Sequence, residues 1–160
     1  MQAKQTNSTT DSSLEASIQE SQTSSTSGST SRGHCVAMRM ILPADVNVHG
    51  TVFGGAILSE YDLAGATAVR QFLGLSRMTT RHLSIDFTKA LYPGDVFTIY
   101  ARLEKLGKTS VTVHLEGWRT SPENQEERFS DVTVVFVYIN EQGDPMPIPQ
   151  WARDRSEDFK

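Results

Sequence analysis

The chain has 160 residues, of which 38% are hydrophobic and 21% charged, and a net charge of −4 at pH 7, which suits one soluble domain with one modest core. The acidic balance argues against a general affinity for nucleic acid or anionic membrane. Cys35 is the only cysteine, so an intramolecular disulfide is excluded and secretion gains no support, and no apolar run has the length of a membrane span.

Residues 1–33 are dominated by Ser, Thr, Gln and Asn, with Leu14 and Ile18 the only branched aliphatics and no aromatic residue. Such a composition buries too little apolar surface to offset its ordering entropy and reads as a disordered, solubilising Ser/Thr-rich tail. It lacks an apolar h-region, and Asp11, Glu15 and Glu20 do not suit an organelle transit peptide, so the expected location is the cytoplasm. One domain is expected over residues 34–150, followed by a loose, charged C-terminus over 151–160.

The first strand is expected where Val36, Met38, Met40 and Leu42 place apolar side chains at even positions, and Pro43 ends it. The stretch from Asn47 to Leu73 then organises the chain. Gly54 and Gly55 stand where a loop turns into a helix, since glycine permits both a positive φ and the close approach of another molecule. From Ala56 onward nearly every residue is small or a good helix former, with no proline before Pro93, which predicts a long helix closed by Gly74.

At about 100° per residue, Ser59, Glu60, Thr67, Arg70 and Gln71 gather on one arc of this helix. Ile57, Leu58, Tyr61, Gly65, Ala68, Val69 and Phe72 occupy the other. Asp62 falls on the apolar side, flanked in projection by Leu58, Val69 and Leu73. A carboxylate there is costly unless it is hydrogen-bonded or used. From the helix alone, a satisfied structural Asp and a functional one are equally open.

The rest reads as sheet. Met78 to Ala90 is extended, Tyr92-Pro-Gly-Asp95 has turn residues, and residues 96–103 alternate, with Phe97, Ile99, Ala101 and Leu103 on one face. Gly107-Lys-Thr109 connects tightly into an alternating Ser110 to Glu116, and residues 120–127 form a polar loop. Val132 to Ile139 is almost continuously apolar and is expected to be a central strand covered on both faces. Pro145, Pro147 and Pro149 stop regular structure. One helix followed by an antiparallel meander implies an α+β domain with the helix on one sheet face. Apolar residues on the uncovered face would need a partner subunit, which predicts an oligomer.

The run Leu42-Pro-Ala-Asp-Val-Asn-Val-His-Gly-Thr-Val-Phe-Gly-Gly55 resembles the hotdog-fold acyl-CoA thioesterases, most closely the YciA-type broad-range enzymes. The similarity extends from about Met38 to Ile139 and includes Tyr92-Pro-Gly-Asp95 and Gly107-Lys-Thr-Ser110. The resemblance implies a hotdog fold, one long central helix on a curved antiparallel sheet, and hydrolysis of fatty acyl-CoA esters to free acid and coenzyme A. It assigns Asp62 as nucleophile or general base and Asn47, fifteen residues earlier, as an assisting loop group. It also implies a pocket between subunits of a homodimer or dimer-based hexamer, with coenzyme A as part of the substrate and no separate cofactor.

Backbone N–H groups around Gly54 and Gly55, at the positive end of the helix dipole, suit the oxyanion that develops in thioester hydrolysis. Ser84 matches a serine that helps position water in some single-domain hotdog thioesterases, although the YciA-type pattern lacks it. Arg81, Lys89 and Lys108, with the turn at Thr109 and Ser110, suit coenzyme A phosphates, although each alone reads equally as a solvated surface residue. Phe53 stands where many relatives carry His, which excludes a catalytic imidazole there. His49 reads as a solvated loop residue and Asp86 as a sheet-face residue. His34, Cys35, His82 and His114 lack metal-ligand spacing, so no metal is predicted. A hotdog dehydratase would need a His-containing motif absent here. The alternative from another class is a non-catalytic acyl-CoA-binding or sensing protein.

Overall fold

The computed structural model describes residues 32–159. The elements are β1 (His34–Met40), a 3-10 turn (Pro43–Asp45), α1 (Gly54–Leu73), β2 (Met78–Phe87), β3 (Val96–Leu106), β4 (Ser110–Thr120), β5 (Glu126–Tyr138), α2 (Gln150–Arg155) and a last 3-10 turn (Ser156–Phe159). The described strands form one antiparallel sheet in the order β1-β3-β4-β5-β2, with α1 packed on one face. This is the expected α+β hotdog arrangement.

The turn chemistry works as the residue types require. Gly74 adopts φ 73° and donates its N–H to the Arg70 carbonyl, closing α1. At the turn before β3, Asp95 Oδ2 accepts the Tyr92 N–H at 2.7 Å and Arg119 Nε at 2.6 Å. That cation offsets the cost of a carboxylate only 1% exposed.

α1 buries Ile57, Tyr61, Ala64, Gly65, Ala68, Val69, Phe72 and Leu73. Facing them are Phe97 and Ile99 from β3, Val113 and Leu115 from β4, and Phe129, Val132, Val134 and Phe136 from β5, in one continuous core. Two glycines set the approach of helix and sheet. A Cβ on Gly65 would come within 2.8 Å of the Phe136 ring, and one on Gly117 of β4 would overlap the Tyr61 hydroxyl. That hydroxyl is bonded to Ser130 Oγ, and burial drives the Tyr61 pKa far upward, so the phenol stays neutral.

The structure departs from the sequence reading in several places. Leu58 is not on the buried arc; it is 37% exposed. β4 and β5 extend into the expected polar loop, which shrinks to residues 121–125, where Asn124 takes φ 65°. β5 is central, but α1 covers only one of its faces; Thr133 and Val135 on the other are half-buried.

The expected loose C-terminus is structured. Ala152 and Ser156 are buried, and Phe159 stacks on Phe72 at 4.8 Å. Arg153 donates to the Gly107 carbonyl at 2.6 Å and Arg155 to the Gln71 carbonyl at 3.1 Å, so the basic residues tie this segment down rather than solvating it. Residues 1–31 of the expected tail lie outside the described residues. Arg32 belongs to the fold, with its guanidinium 3.8 Å from the Trp118 ring and paired with Glu126.

The outward sheet face is also not the apolar surface on which an oligomer was expected to rest. Register places Arg102, His114, Thr133 and Ser84 in one row and Tyr100, Glu116, Asp131 and Asp86 in the next. These are joined by Arg102–Glu116 at 2.7 Å and Arg128–Glu116 at 3.8 Å, with Arg128 also paired to Asp131. Exposed apolar side chains lie at the margin of this face and beyond it: Met38 and Met40 on the edge strand β1, where even positions were expected to form a buried face, and Leu58, Leu63 and Phe87 along α1 and the edge strand β2. The outer edge of β2 pairs with no described strand.

Gly117→Ala is expected to destabilise the protein by about 1–3 kcal/mol, because the methyl group displaces the Tyr61 hydroxyl from a close-packed site; denaturant unfolding measures this. A second prediction concerns His114. Its Nδ1 faces Arg102 Nη2 at 3.3 Å and its Nε2 meets Asp131 Oδ1 at 2.9 Å, so the neutral ring with Nε2–H donating to Asp131 fits both neighbours. Burial first, and then the Arg102 charge, lower its pKa from 6.5. Between the lowered value and 6.5 the unfolded chain binds more protons than the folded one, so stability falls as pH drops through this window. The melting temperature should therefore decline on acidification below pH 6.5 more steeply in the wild type than in His114→Gln.

Candidate active site

The loop from Leu42 to Phe53 is folded back by its own polar groups. Asn47 Oδ1 accepts the His49 N–H at 2.8 Å and the Thr51 N–H at 3.4 Å, while its Nδ2 donates to Thr51 Oγ1 at 3.1 Å. The main chain closes the same turn, Asn47 N to Thr51 O at 2.8 Å, with Gly50 at φ 78°. The half-buried Asn47 amide therefore shapes its own loop and keeps one further N–H to offer. Its neighbours His49, Val48 and Phe53 are exposed.

α1 begins without a side-chain cap. Phe53 is its N-cap at φ −61° and ψ 128°, and its carbonyl takes the N–H groups of Ala56 and Ile57. The N–H groups of Gly54 and Gly55 find no acceptor among the described residues. They are orphan donors at the positive helix end. Neither glycine has the positive φ that the sequence reading allowed for. Neither is crowded: a Cβ on Gly54 would meet only the Phe87 ring at 3.9 Å, and one on Gly55 nothing within 4 Å. Nothing among the described residues requires glycine at either position, and the backbone there is left bare.

Asp62 is exposed, contrary to the expectation of a carboxylate enclosed by Leu58, Val69 and Leu73. It leans from α1 toward β2, where the Thr80 hydroxyl donates to its Oδ1. Thr80 escaped the sequence reading because strand alternation alone cannot place it. A bulge between Thr80 and His82 shifts the register, so Thr80 points at the helix while Leu83 and Ile85, beyond the bulge, also pack inward. The same shift turns Ser84 to the opposite face of the sheet, in the row of Thr133 and His114. Ser84 and Asp62 are thus on different sides of the sheet.

Gly54, Gly55, Leu58 and Asp62 follow one another at helical spacing along a single exposed stripe of α1. Asp62 is eight residues beyond Gly54, about 12 Å along the axis at 1.5 Å per residue. The two cannot reach one carbonyl within the same chain. A groove of about 370 Å³ near the C-terminal turn, lined by Leu103 to Leu106, Arg153 and Ser156 among others, contains none of the expected catalytic residues.

Of the residues expected at coenzyme A, Lys89 is ion-paired with Glu127, whereas Arg81 and Lys108 are exposed. Register puts Ser110, Val137 and Thr79 in one row, so the Gly107–Thr109 turn lies about 10 Å across the sheet from β2, beside Thr80. The carbonyls of this turn are engaged: that of Lys108 accepts the Ile148 N–H and that of Thr109 the Tyr138 N–H, each at 2.8 Å. Among the described residues, no group of three or more His, Cys, Asp or Glu is arranged to hold a metal ion. No described helix is long and apolar enough to cross a membrane.

Residues 49–125 match the family model described as Thioesterase superfamily. The acyl-CoA thioester hydrolase YciA of Salmonella typhimurium is 30% identical over 125 residues, covering 76% of this chain and 94% of that protein. The YciA of Escherichia coli K12 is 29% identical, over 74% and 92%. Among solved structures, the Asp-to-Ala mutant of HI0827, a hexameric broad specificity acyl-coenzyme A thioesterase, superposes with a TM-score of 0.74 at 26% identity, covering 80% of this chain and 95% of that one. The hexameric thioesterase y2039 of Yersinia pestis gives 0.69 at 30% identity, over 73% and 96%. With loop, glycine pair and helix carboxylate in place and these relatives matched over nearly their whole length, the chain belongs to the thioesterase superfamily, among the YciA-type acyl-CoA thioester hydrolases.

Proposed function

We propose that this protein hydrolyses acyl-CoA thioesters in a site built by two copies of the chain. The observation that carries the reading is the exposed stripe of α1, which holds two orphan N–H donors at one end and a carboxylate about 12 Å away at the other. Two such stripes packed antiparallel about a twofold axis near Leu58 would set Asp62 of each chain beside the glycine pair of its partner. Leu58 and Leu63, now exposed, would supply the apolar contact, and each carboxylate would gain the positive end of a neighbouring helix. The free edge of β2, next to Thr80, is available to the same contact. The hexameric state of the solved relatives supports assembly in dimer-based hexamers.

In that site the thioester carbonyl oxygen would lie on the Gly54 and Gly55 N–H groups, which stabilise the tetrahedral oxyanion. The remaining Asn47 N–H would polarise the same carbonyl. Asp62, oriented by Thr80, would either draw a proton from the attacking water or attack the carbonyl carbon and form an anhydride that water then opens. Either route breaks the C–S bond and returns a proton to the coenzyme A sulfur; the water oxygen enters the acid directly in the first, and enters the acid or the Asp62 carboxylate in the second according to which anhydride carbon water attacks. Water is the only co-reactant this chemistry needs, and coenzyme A enters as part of the substrate. Lys108 and Arg81, both exposed near Thr80, are proposed to meet its phosphates, with Lys89 more weakly engaged because Glu127 neutralises it. The cytoplasm is the proposed location, where an exposed unpaired Cys35 stays reduced.

Asp62→Asn should fold normally and lose about 10²- to 10⁴-fold in kcat on an acyl-CoA substrate, read as thiol release. Gly54→Pro is the complementary variant. Proline is favoured at the first helical position and the N–H it removes has no partner, so the melting temperature should hold while kcat falls about 10²- to 10³-fold. A folded Asp62→Asn protein with wild-type turnover would refute the assignment.

Co-expression of these two variants tests the shared site. A mixed dimer holds one site with both defects and one with neither, so activity per mixed dimer should return to about half the wild-type value. Two inactive variants that stay inactive when assembled together would place all reacting groups in one chain.

A further inference from the structure

Arg39 lies on β1, and its guanidinium meets carboxylates from two different elements. Nη1 donates to Asp45 Oδ2 at 2.8 Å, and Nε is 3.0 Å from Glu60 Oε1. Asp45 is held from several directions. Its Oδ2 also accepts the Leu42 N–H at 2.8 Å, and its carbonyl accepts the Phe53 N–H at 3.4 Å. Asp45 thereby clasps both ends of the loop that carries Asn47, and Phe53 is the residue from which α1 starts. Glu60 sits on α1 two residues before Asp62.

We propose that Arg39 is a positioning residue of the thioesterase site: it locks the Asn47 loop and the first turn of α1 to the helix segment that carries Asp62. This rests on the function proposed above. Gly54, Gly55 and Asp62 share one helix and keep a fixed spacing, so what the attachment of the loop sets is the place of Asn47 relative to those donors and that carboxylate. In a twofold assembly that one setting fixes the geometry of both sites. Half-exposed ion pairs add little stability by themselves, so a link of this kind is better suited to fixing an angle than to holding the fold. Nη1 supplies a directed bond to Asp45, and the breadth of the planar guanidinium lets the same charge also stand beside Glu60 on the helix. Lysine would keep the charge and lose the bridge. Arg39 Nε is buried and makes no aligned hydrogen bond, so a smaller cation would also leave an unfilled gap between strand and helix.

The test compares wild type, Arg39→Lys and Glu60→Gln by steady-state kinetics on one acyl-CoA ester, by melting temperature and by amide hydrogen exchange of residues 43–56. Arg39→Lys should lower kcat at least tenfold at nearly constant KM, because oxyanion donors act in the transition state. Glu60→Gln should lower it severalfold. Both should melt within a few degrees of wild type, and amides of the loop and first helical turn should exchange faster while those of β4 and β5 do not. Wild-type kcat in both variants, or unchanged exchange in residues 43–56, would overturn the role of Arg39. Loss of activity that only follows a collapse in melting temperature, with exchange raised throughout the sheet, would also overturn it. A wild-type chain inactive on every acyl-CoA ester would instead sink the parent reading, a result distinct from an active wild type with an unaffected Arg39→Lys.

Discussion

The Tyr61 hydroxyl, closed against Ser130 beneath the bare backbone of Gly117, fixes the rotation of α1 about its own axis. A buried phenol without a partner would cost stability, and only one rotational setting offers both the notch in β4 and the acceptor on β5. With Tyr61 turned inward, its neighbour Asp62 must emerge about 100° further round the helix. That direction faces β2 and solvent. Gly65, four residues on, rides against the Phe136 ring and keeps the axis close enough to the sheet for Thr80 to reach the carboxylate. The placement of the reactive group is thus settled by its buried neighbours.

The two faces of the sheet follow different physical rules. The inner face is a continuous apolar core under α1. The outer face has no second layer among the described residues, and it is tiled with alternating charges. Glu116, only 9% exposed, is served by Arg102, Arg128 and the Trp118 N–H, so its burial is matched by donors. Such pairs contribute little singly. Together they keep the middle of the sheet face polar, while apolar side chains are exposed along the stripe of α1 and on the two edge strands, Phe87 on β2 and Met38 and Met40 on β1.

Much of this was legible in the sequence because it rests on local rules. Glycine after the last helical residue, the Tyr92 to Asp95 turn and the alternation of residues 96–103 each name their own conformation. The glycine pair followed seven residues later by Asp62 sets a fixed helical offset, and the family resemblance gives that offset a meaning. What was not legible depends on long-range register. The bulge that brings Thr80 to Asp62 and carries Ser84 to the other face is invisible in strand alternation. The polar outer face could have been read from Arg102, His114 and Glu116, which alternate with Val113 and Leu115, but only once the side covered by the helix was known. The C-terminal segment misled because its charges suggested solvation. Arg153 and Arg155 instead use main-chain carbonyls at the ends of two other elements, partners that composition cannot reveal.

The ring cluster of His34, Phe72 and Phe159 joins the first strand, the end of the central helix and the final turn. His34 and Phe159 are separated by nearly the whole described chain, and their contact closes a loop of that length. A growing chain on the ribosome therefore cannot complete this corner until Phe159 has emerged. Until then Phe72 is left uncovered, and the exposed end of α1 is where a half-made chain would be open to wrong association.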